Sequence, residues 1–159
     1  LLAGVLAGAM VKGIQSQGVA ATVKHFALNN KETDRKHSDS RVSERAAREI
    51  YLKAFEYVIK GAKPWAVMSS YNIINGCYAS ENKELLEDIL RDEWGFDGMV
   101  TTDWWTLGEH YKEVKAGNDM KMACGDPKRL KEAMDQGLLT RQDLEHCAER
   151  VLNLILKLD

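Results

Sequence analysis

Apolar, strand-like runs alternate with helix-like segments along the chain, and this alternation restricts the possible folds more than any other feature. We predict strands over 18–26, 65–72, 98–103 and 118–123, each followed by a helix, after a first helix at the N-terminal end. Strands that alternate with helices form parallel sheets, because each helix carries the chain back to the start of the next strand. The sequence therefore predicts an α/β fold with a four-stranded parallel sheet.

The number of strands narrows the fold further. A closed (β/α)8 barrel has eight strands and about 250 residues, whereas this chain has 159 residues. An open doubly wound sheet is the alternative, but no GxGxxG or GxxxxGK[ST] motif follows any of the strands. We therefore predict one partial domain over 1–159, made of four consecutive βα units of a (β/α)8 barrel. Its exposed strand edges would be covered by the rest of a barrel or by self-association.

Polar residues mark where the helices begin. Ser43, Ser80 and Asp126 are predicted N-caps, because their side-chain oxygens can accept hydrogen bonds from the free N–H groups of a first turn. Thr140 followed three residues later by Asp143 predicts a capping box at the start of the last helix.

The composition argues against several classes of partner. The chain has 22 basic and 24 acidic residues, and the basic residues are scattered, so nothing suggests nucleic acid or a membrane surface as a partner. Cys77, Cys124 and Cys147 lack the spacing of a zinc site or a disulfide framework. Free cysteines favour a reducing compartment such as the cytoplasm, although secretion stays open.

Reactive side chains follow three of the predicted strands. Lys24 and His25, then Met68 to Tyr71, then Asp103 and Trp104 lie at the carboxyl ends of strands, where barrel enzymes place their active sites. Because side chains alternate along a strand, Lys24 and His25 can both face the barrel interior only if the strand bends or bulges there.

These residues also have other interpretations. Lys24 fits a solvated strand end, and His25 fits a structural histidine with satisfied hydrogen bonds. Tyr71 and Trp104 fit a core. Trp105 is interpreted as a packing residue. Lys24 at a strand end is also compatible with the Schiff-base chemistry of an aldolase, which would leave the setting of Asp103 unexplained.

Five stretches of the chain resemble glycoside hydrolase family 3, the family of many β-glucosidases. The resemblance lies in VKHF (23–26), SERAAREIYL (43–52), AVMSSYNIING (66–76), LLEDILRDEWGFDGMVTTDW (85–104) and AGNDMKM (116–122). It implies that the chain forms the second half of that family's (β/α)8-like barrel, and that the chemistry needs neither a metal nor an organic cofactor.

The resemblance also assigns roles to individual residues. Asp103 matches the family's catalytic nucleophile, and the other matching positions contact the sugar. Those substrate-binding positions are Lys24, His25, Met68, Tyr71 and Trp104.

The implied activity is that of a retaining, exo-acting β-glycosidase, most simply a β-glucosidase acting on β-glucosides or short oligosaccharides. The acid/base carboxyl group that retaining chemistry needs lies, in such members, in a separate α/β sandwich domain. The chain is therefore expected to be part of a longer enzyme and to be inactive alone. A non-catalytic half-barrel module that binds sugar weakly or self-associates is the alternative.

The family's N-acetylhexosaminidase branch is a further alternative. It carries KHFPGHG where this chain reads KHFALNN, which speaks against that branch. The resemblance implies that this branch uses a His/Asp pair in the loop after KHF. His37 and Asp39 lie in that loop but outside the motif.

Overall fold

The computed structural model describes residues 1–123 and 125–159. Its strands are β1 (Thr22–Phe26), β2 (Asp39–Ser40), β3 (Ala66–Ser69), β4 (Ile73–Ile74), β5 (Cys77–Tyr78) and β6 (Met99–Thr102). Its α-helices are α1 (Leu2–Gln15), α2 (Glu44–Ala46), α3 (Lys53–Ala62), α4 (His110–Lys115), α5 (Pro127–Asp135) and α6 (Arg141–Leu158). Ala47–Tyr51 and Glu84–Glu93 are π-helical, and Ala79–Glu81 is a 3-10 turn. Among the described helices, none is long and apolar enough to cross a membrane.

The central sheet is parallel and contains three of the predicted strands, in the order β1-β3-β6. In the described residues it remains open, which confirms an α/β partial barrel. The predicted fourth strand over 118–123 is wrong as a full strand, because only Met120 forms a bridge, to Thr101. The Thr102 backbone N–H donates to the Met120 carbonyl at 2.9 Å. Two residues later the ladder ends, because the Met122 N–H donates to the Thr102 hydroxyl at 3.0 Å instead of to a carbonyl.

The main core fills the space between the sheet and the helices that follow its strands. Val67 of β3 and Val100 of β6 are fully buried and pack in one cluster with Leu52, Leu86 and Leu90. Each such side chain contributes roughly 1.5–3 kcal/mol when it is removed from water. Because side chains alternate along a strand, Met68 and Thr101 face the opposite, concave side of the sheet. The concave side is where the candidate site lies.

The end of β1 departs from regular strand geometry. Val23 pairs with Val67, Phe26 pairs with Ser69, and the register shifts between these two pairs. The Lys24–His25 and Phe26–Ala27 peptide bonds are cis. The irregularity lies at the two adjacent residues for which a bend or bulge was predicted.

A second, small sheet forms beside the first one. β2 lies within the long polar segment after β1 and pairs in parallel with β4, which pairs antiparallel with β5. The β4–β5 turn places Asn75 and Gly76 at φ values of 49° and 92°, the left-handed pair of a two-residue hairpin turn. Asn-Gly between apolar residues is a sequence signal for such a hairpin.

Most predicted helix starts are confirmed. The side chains of Ser43 and Asp126 accept hydrogen bonds from the first turns of their helices, and Thr140 and Asp143 form the capping box. Ser80 is not a cap, because its hydroxyl donates to Glu113 at 2.9 Å. Asn82 takes that role and accepts a hydrogen bond from the Leu85 N–H at 3.0 Å.

Candidate active site

Asp103 directly follows β6 and is 5% exposed. Its backbone N–H donates to the Ser69 carbonyl at 3.0 Å, which continues the pairing of β6 with β3 beyond the last regular strand residue. Its Oδ1 accepts a hydrogen bond from the Trp104 N–H at 2.7 Å. Val100 and Thr102 are fully buried on the helix side, so Asp103 follows the other parity and points to the concave side. The carboxylate is therefore held rigidly at the mouth of the sheet.

Among the described residues, His25 is a basic side chain that lies close to this carboxylate. Its Nε2 lies 3.5 Å from Asp103 Oδ2, and the histidine side chain is half-buried. His25 comes from the irregular end of β1, two strands away from Asp103 in the sheet. When protonated, the imidazole forms an ion pair with Asp103. When neutral, it is a hydrogen-bonding group at the same place.

Tyr71 lies just beyond β3 and is 5% exposed. Burial raises the pKa of the Tyr71 phenol, and interaction with the Asp103 carboxylate raises that pKa further. The phenol therefore stays protonated well above neutral pH and can donate a hydrogen bond to the carboxylate or to a ligand.

Two cations outside the predicted set of site residues cover Tyr71. The Arg35 guanidinium carbon lies 4.5 Å from the centroid of the Tyr71 ring, and Lys36 Nζ lies 5.0 Å from it. Both belong to the polar segment between β1 and β2, and both are half-buried. The length of this polar segment was a signal of function, but sequence alone did not show which of its cations reach the site.

The two remaining predicted site residues are more loosely placed. Met68 is half-buried on β3, opposite Thr101 on β6, on the concave side. Lys24 is exposed on β1, and within 1–123 and 125–159 it forms no ion pair within 4 Å. The structure thus brings His25, Tyr71 and Trp104 together around Asp103, with Met68 lining the same side of the sheet.

His37 and Asp39 do not pair with each other. His37 Nδ1 lies 2.8 Å from Asp34 Oδ1, and Asp39 binds the Arg41 guanidinium at 2.7 Å.

Trp104 and Trp105 form an exposed aromatic pair after the carboxylate. Their ring centroids lie 5.5 Å apart with the planes tilted by 55°. Trp104 is 43% exposed and Trp105 is 57% exposed. The interpretation of Trp105 as a packing residue is wrong, because more than half of its surface faces solvent.

The described part of the chain contains no group of three His, Cys, Asp or Glu side chains that could hold a metal ion. The side chains gathered around Asp103 offer a carboxylate, an imidazole, a phenol and an indole. A rigid carboxylate with polar groups and an aromatic surface around it can attack an electrophilic carbon of a ligand that carries both hydroxyls and an apolar face.

The model of the glycosyl hydrolase family 3 N-terminal domain matches residues 1–154. The chain belongs to glycosyl hydrolase family 3. Among relatives, it is 62% identical to β-glucosidase A of Butyrivibrio fibrisolvens over 144 residues, which are 91% of this chain and 17% of that protein. It is 45% identical to an exo-α-(1→6)-L-arabinopyranosidase of Bifidobacterium longum over 157 residues, which are 98% of this chain and 21% of that protein.

Solved structures of family 3 members show the same fold. β-Glucosidase 3B from Thermotoga neapolitana, in complex with glucose, superposes with a TM-score of 0.93 and 44% identity over 97% of this chain and 23% of that one. The chain therefore spans about a fifth of the length of the family members that it matches.

Proposed function

We propose that this chain belongs to a retaining β-glycosidase, most simply a β-glucosidase that removes terminal β-D-glucosyl residues, and that Asp103 is its nucleophile. The observation that carries the proposal is the buried carboxylate of Asp103 at the end of β6, beside His25, in a chain whose family members include β-glucosidases. We call the longer polypeptide that carries residues 1–159 the intact enzyme.

The geometry of the carboxylate favours one oxygen as the attacking atom. Oδ1 is engaged by the Trp104 N–H, whereas Oδ2 faces His25 at a longer distance. Oδ2 would attack the anomeric carbon while the bond from that carbon to the leaving oxygen breaks, which gives a glycosyl ester of Asp103. Water would then hydrolyse the ester with net retention of configuration.

The surrounding residues would hold the sugar. Lys24, His25 and the Arg35 guanidinium offer donors to its hydroxyls, and Tyr71 offers a protonated phenol beside the reacting carbon. Met68 and Trp104 offer apolar surface to the C–H face of the ring.

The second carboxyl group of the reaction would come from another part of the intact enzyme. Retaining hydrolysis needs that group about 5–5.5 Å from the nucleophile, to protonate the leaving oxygen and later to activate water. We assign it to a sandwich domain outside this chain, and the other half of the barrel would supply further contacts to the sugar.

Asp103→Asn in the intact enzyme tests the assignment. An amide cannot form the ester, so we expect kcat for an aryl β-glucoside to fall by at least about a thousandfold. The matched control is Asp97→Asn, an exposed aspartate in the turn before β6, which should keep wild-type activity. Turnover within tenfold of wild type after Asp103→Asn would exclude Asp103 as the nucleophile.

Two further measurements define the reaction. A 2-deoxy-2-fluoro-β-glucoside with a good leaving group should label the peptide that contains Asp103, as seen by mass spectrometry.

The substrate class is tested by comparing the hydrolysis of three kinds of substrate: aryl β-glucosides, α-L-arabinopyranosides and N-acetyl-β-glucosaminides. If the α-L-arabinopyranosides are hydrolysed fastest, the specificity resembles the activity named for the Bifidobacterium relative. If the N-acetyl-β-glucosaminides are hydrolysed fastest, the N-acetylhexosaminidase alternative is supported. Sugar binding without hydrolysis would support the non-catalytic module.

A further inference from the structure

Trp105 has no role in the proposed reaction, yet it is exposed and its backbone adopts an unfavourable conformation. It is 57% exposed, and its backbone is in the left-handed region at φ 54°. A bulky residue rarely adopts that conformation unless the surrounding contacts impose it. A large aromatic ring held in this way at the rim of a site suggests a binding role.

The turn that carries Trp105 is fixed by two neighbouring segments. The Trp105 N–H donates to the Met122 carbonyl at 3.0 Å, and Lys36 Nζ donates to the Trp105 carbonyl at 3.0 Å. Lys121 Nζ donates to the hydroxyl of the next residue, Thr106, at 3.0 Å. The indole is therefore presented to solvent on a rigid turn, and Lys36 joins this turn to the segment that covers Tyr71.

We infer that Trp105 is the contact for the leaving group of the substrate, provided that this leaving group contains a ring, and that Lys36 is its positioning residue. The inference rests on the proposed function. It adds the residue that contacts a ring in the leaving group, whether a second sugar or an aromatic aglycone, and the residue that holds that contact in place.

The direction of attack supports this placement. In a retaining reaction the nucleophile and the leaving group lie on opposite faces of the anomeric carbon. Asp103 is buried at the floor of the site, so the leaving oxygen points outward. Trp105 follows Trp104 along the chain, is the more exposed of the two, and lies 5.5 Å from it between ring centroids. The two indoles thus form a surface that continues from the sugar towards solvent.

Trp105→Ala in the intact enzyme tests the inference with two kinds of substrate. 4-Nitrophenyl β-D-glucoside and cellobiose have a ring in the leaving group, whereas β-D-glucosyl fluoride has none. Loss of the indole should lower kcat/KM for the two ring-bearing substrates by about fivefold to tenfold, as expected for one aromatic contact. The change should appear mainly in KM. Hydrolysis of the fluoride and inhibition by glucose should change by less than about twofold.

Conservative and positioning variants separate a contact from a structural effect. Trp105→Phe should restore most of the loss for the ring-bearing substrates. Lys36→Met keeps the side-chain stem over Tyr71 and removes the bond to the Trp105 carbonyl, so it should show a weaker loss with the same substrate selectivity. Lys31→Met, an exposed lysine of the same polar segment, is the matched control and should change nothing.

Equal losses for the fluoride and the ring-bearing substrates would overturn the inference, and so would unchanged kinetics in Trp105→Ala. Both results leave the proposed function intact, because the wild-type enzyme would still hydrolyse β-glucosides through Asp103. Absence of glycosidase activity in the wild-type enzyme would instead overturn the proposed function, and this inference with it.

Discussion

At the scale of single residues, Tyr71 shows how the surroundings of a side chain set its protonation state. The phenol is buried beside the Asp103 carboxylate, and both burial and that carboxylate raise its pKa. A protonated phenol can stabilise the carboxylate before attack and can stay close to the ring oxygen of the sugar afterwards. A hydrogen bond to a charged group contributes about 1.5–3 kcal/mol.

Tyr71→Phe should therefore lower kcat/KM for an aryl β-glucoside by about tenfold to a hundredfold.

The stability of the protein should also depend on pH through Tyr71. A group whose pKa is raised by folding stabilises the protein below its unfolded value, about 10 for tyrosine, and this contribution is lost as the pH rises through the folded value. Urea unfolding at increasing pH above 10 should show the wild type losing more stability than Tyr71→Phe. Parallel pH curves for the two proteins would contradict this.

The residues of the site differ in how far sequence could place them. Asp103, Tyr71 and Trp104 were placed correctly at the mouth of the sheet because they directly follow strands, and strand ends meet at one edge. Lys36 and Arg35 were not predicted as site residues. They lie in an irregular segment, which has no hydrophobic periodicity to show which way its side chains point. Trp105 was interpreted as a packing residue because an apolar ring normally packs in a core. Local sequence does not show that Lys36 and the Met122 carbonyl bind its backbone and leave the indole exposed.

At the scale of elements, a buried ion pair joins α4 to the segment that carries the Met120 bridge. Glu113 of α4 is fully buried and binds Lys121 Nζ at 2.5 Å, while the Ser80 hydroxyl donates to its other oxygen. Lys121 also donates to Thr106 and to the Gly108 carbonyl. The helix predicted after the third strand, α4, begins only at His110. Thr106 and Gly108 are held by Lys121 instead, a long-range contact that spacing cannot show.

Lys121→Met should be strongly destabilising, because it leaves the Glu113 carboxylate buried without its partner. We expect a loss of about 3–5 kcal/mol in urea unfolding. Lys131→Met removes one partner of an exposed pair with Asp135 on α5, and should cost less than about 1 kcal/mol.

A double variant distinguishes charge from packing in this pair. Lys121→Met with Glu113→Leu should recover part of the lost stability, since no uncompensated charge stays buried. A double variant less stable than Lys121→Met alone would show that the hydrogen bonds of Glu113 to Ser80 and its neighbours matter more than the charge of the pair.

At the scale of the whole molecule, the two flanks of the open sheet carry exposed apolar rows. α1 packs on α3 through Gly4, where an added Cβ would lie 2.9 Å from the Ala54 carbonyl oxygen. The opposite side of α1 exposes apolar side chains, and so does the last part of α6. These residues are Leu2, Leu6, Met10, Leu152, Ile155 and Leu156. Helix periodicity predicted the helices, but sequence could not show that these rows lie on the outside of the described structure.

Exposed apolar rows beside open strand edges favour association. We therefore predict that residues 1–159 self-associate when expressed alone. We also predict that they fail to hydrolyse aryl β-glucosides, because the acid/base carboxyl group of the proposed mechanism would come from another part of the intact enzyme. Sedimentation velocity over a range of concentrations should show species larger than a monomer. Leu6→Gln combined with Leu156→Gln should shift the distribution towards monomer, whereas Leu138→Gln, which lies outside both rows, should not. A monomeric chain that hydrolyses the substrate at an enzymatic rate would contradict both halves of the prediction, because it would have to contain the whole catalytic pair within residues 1–159.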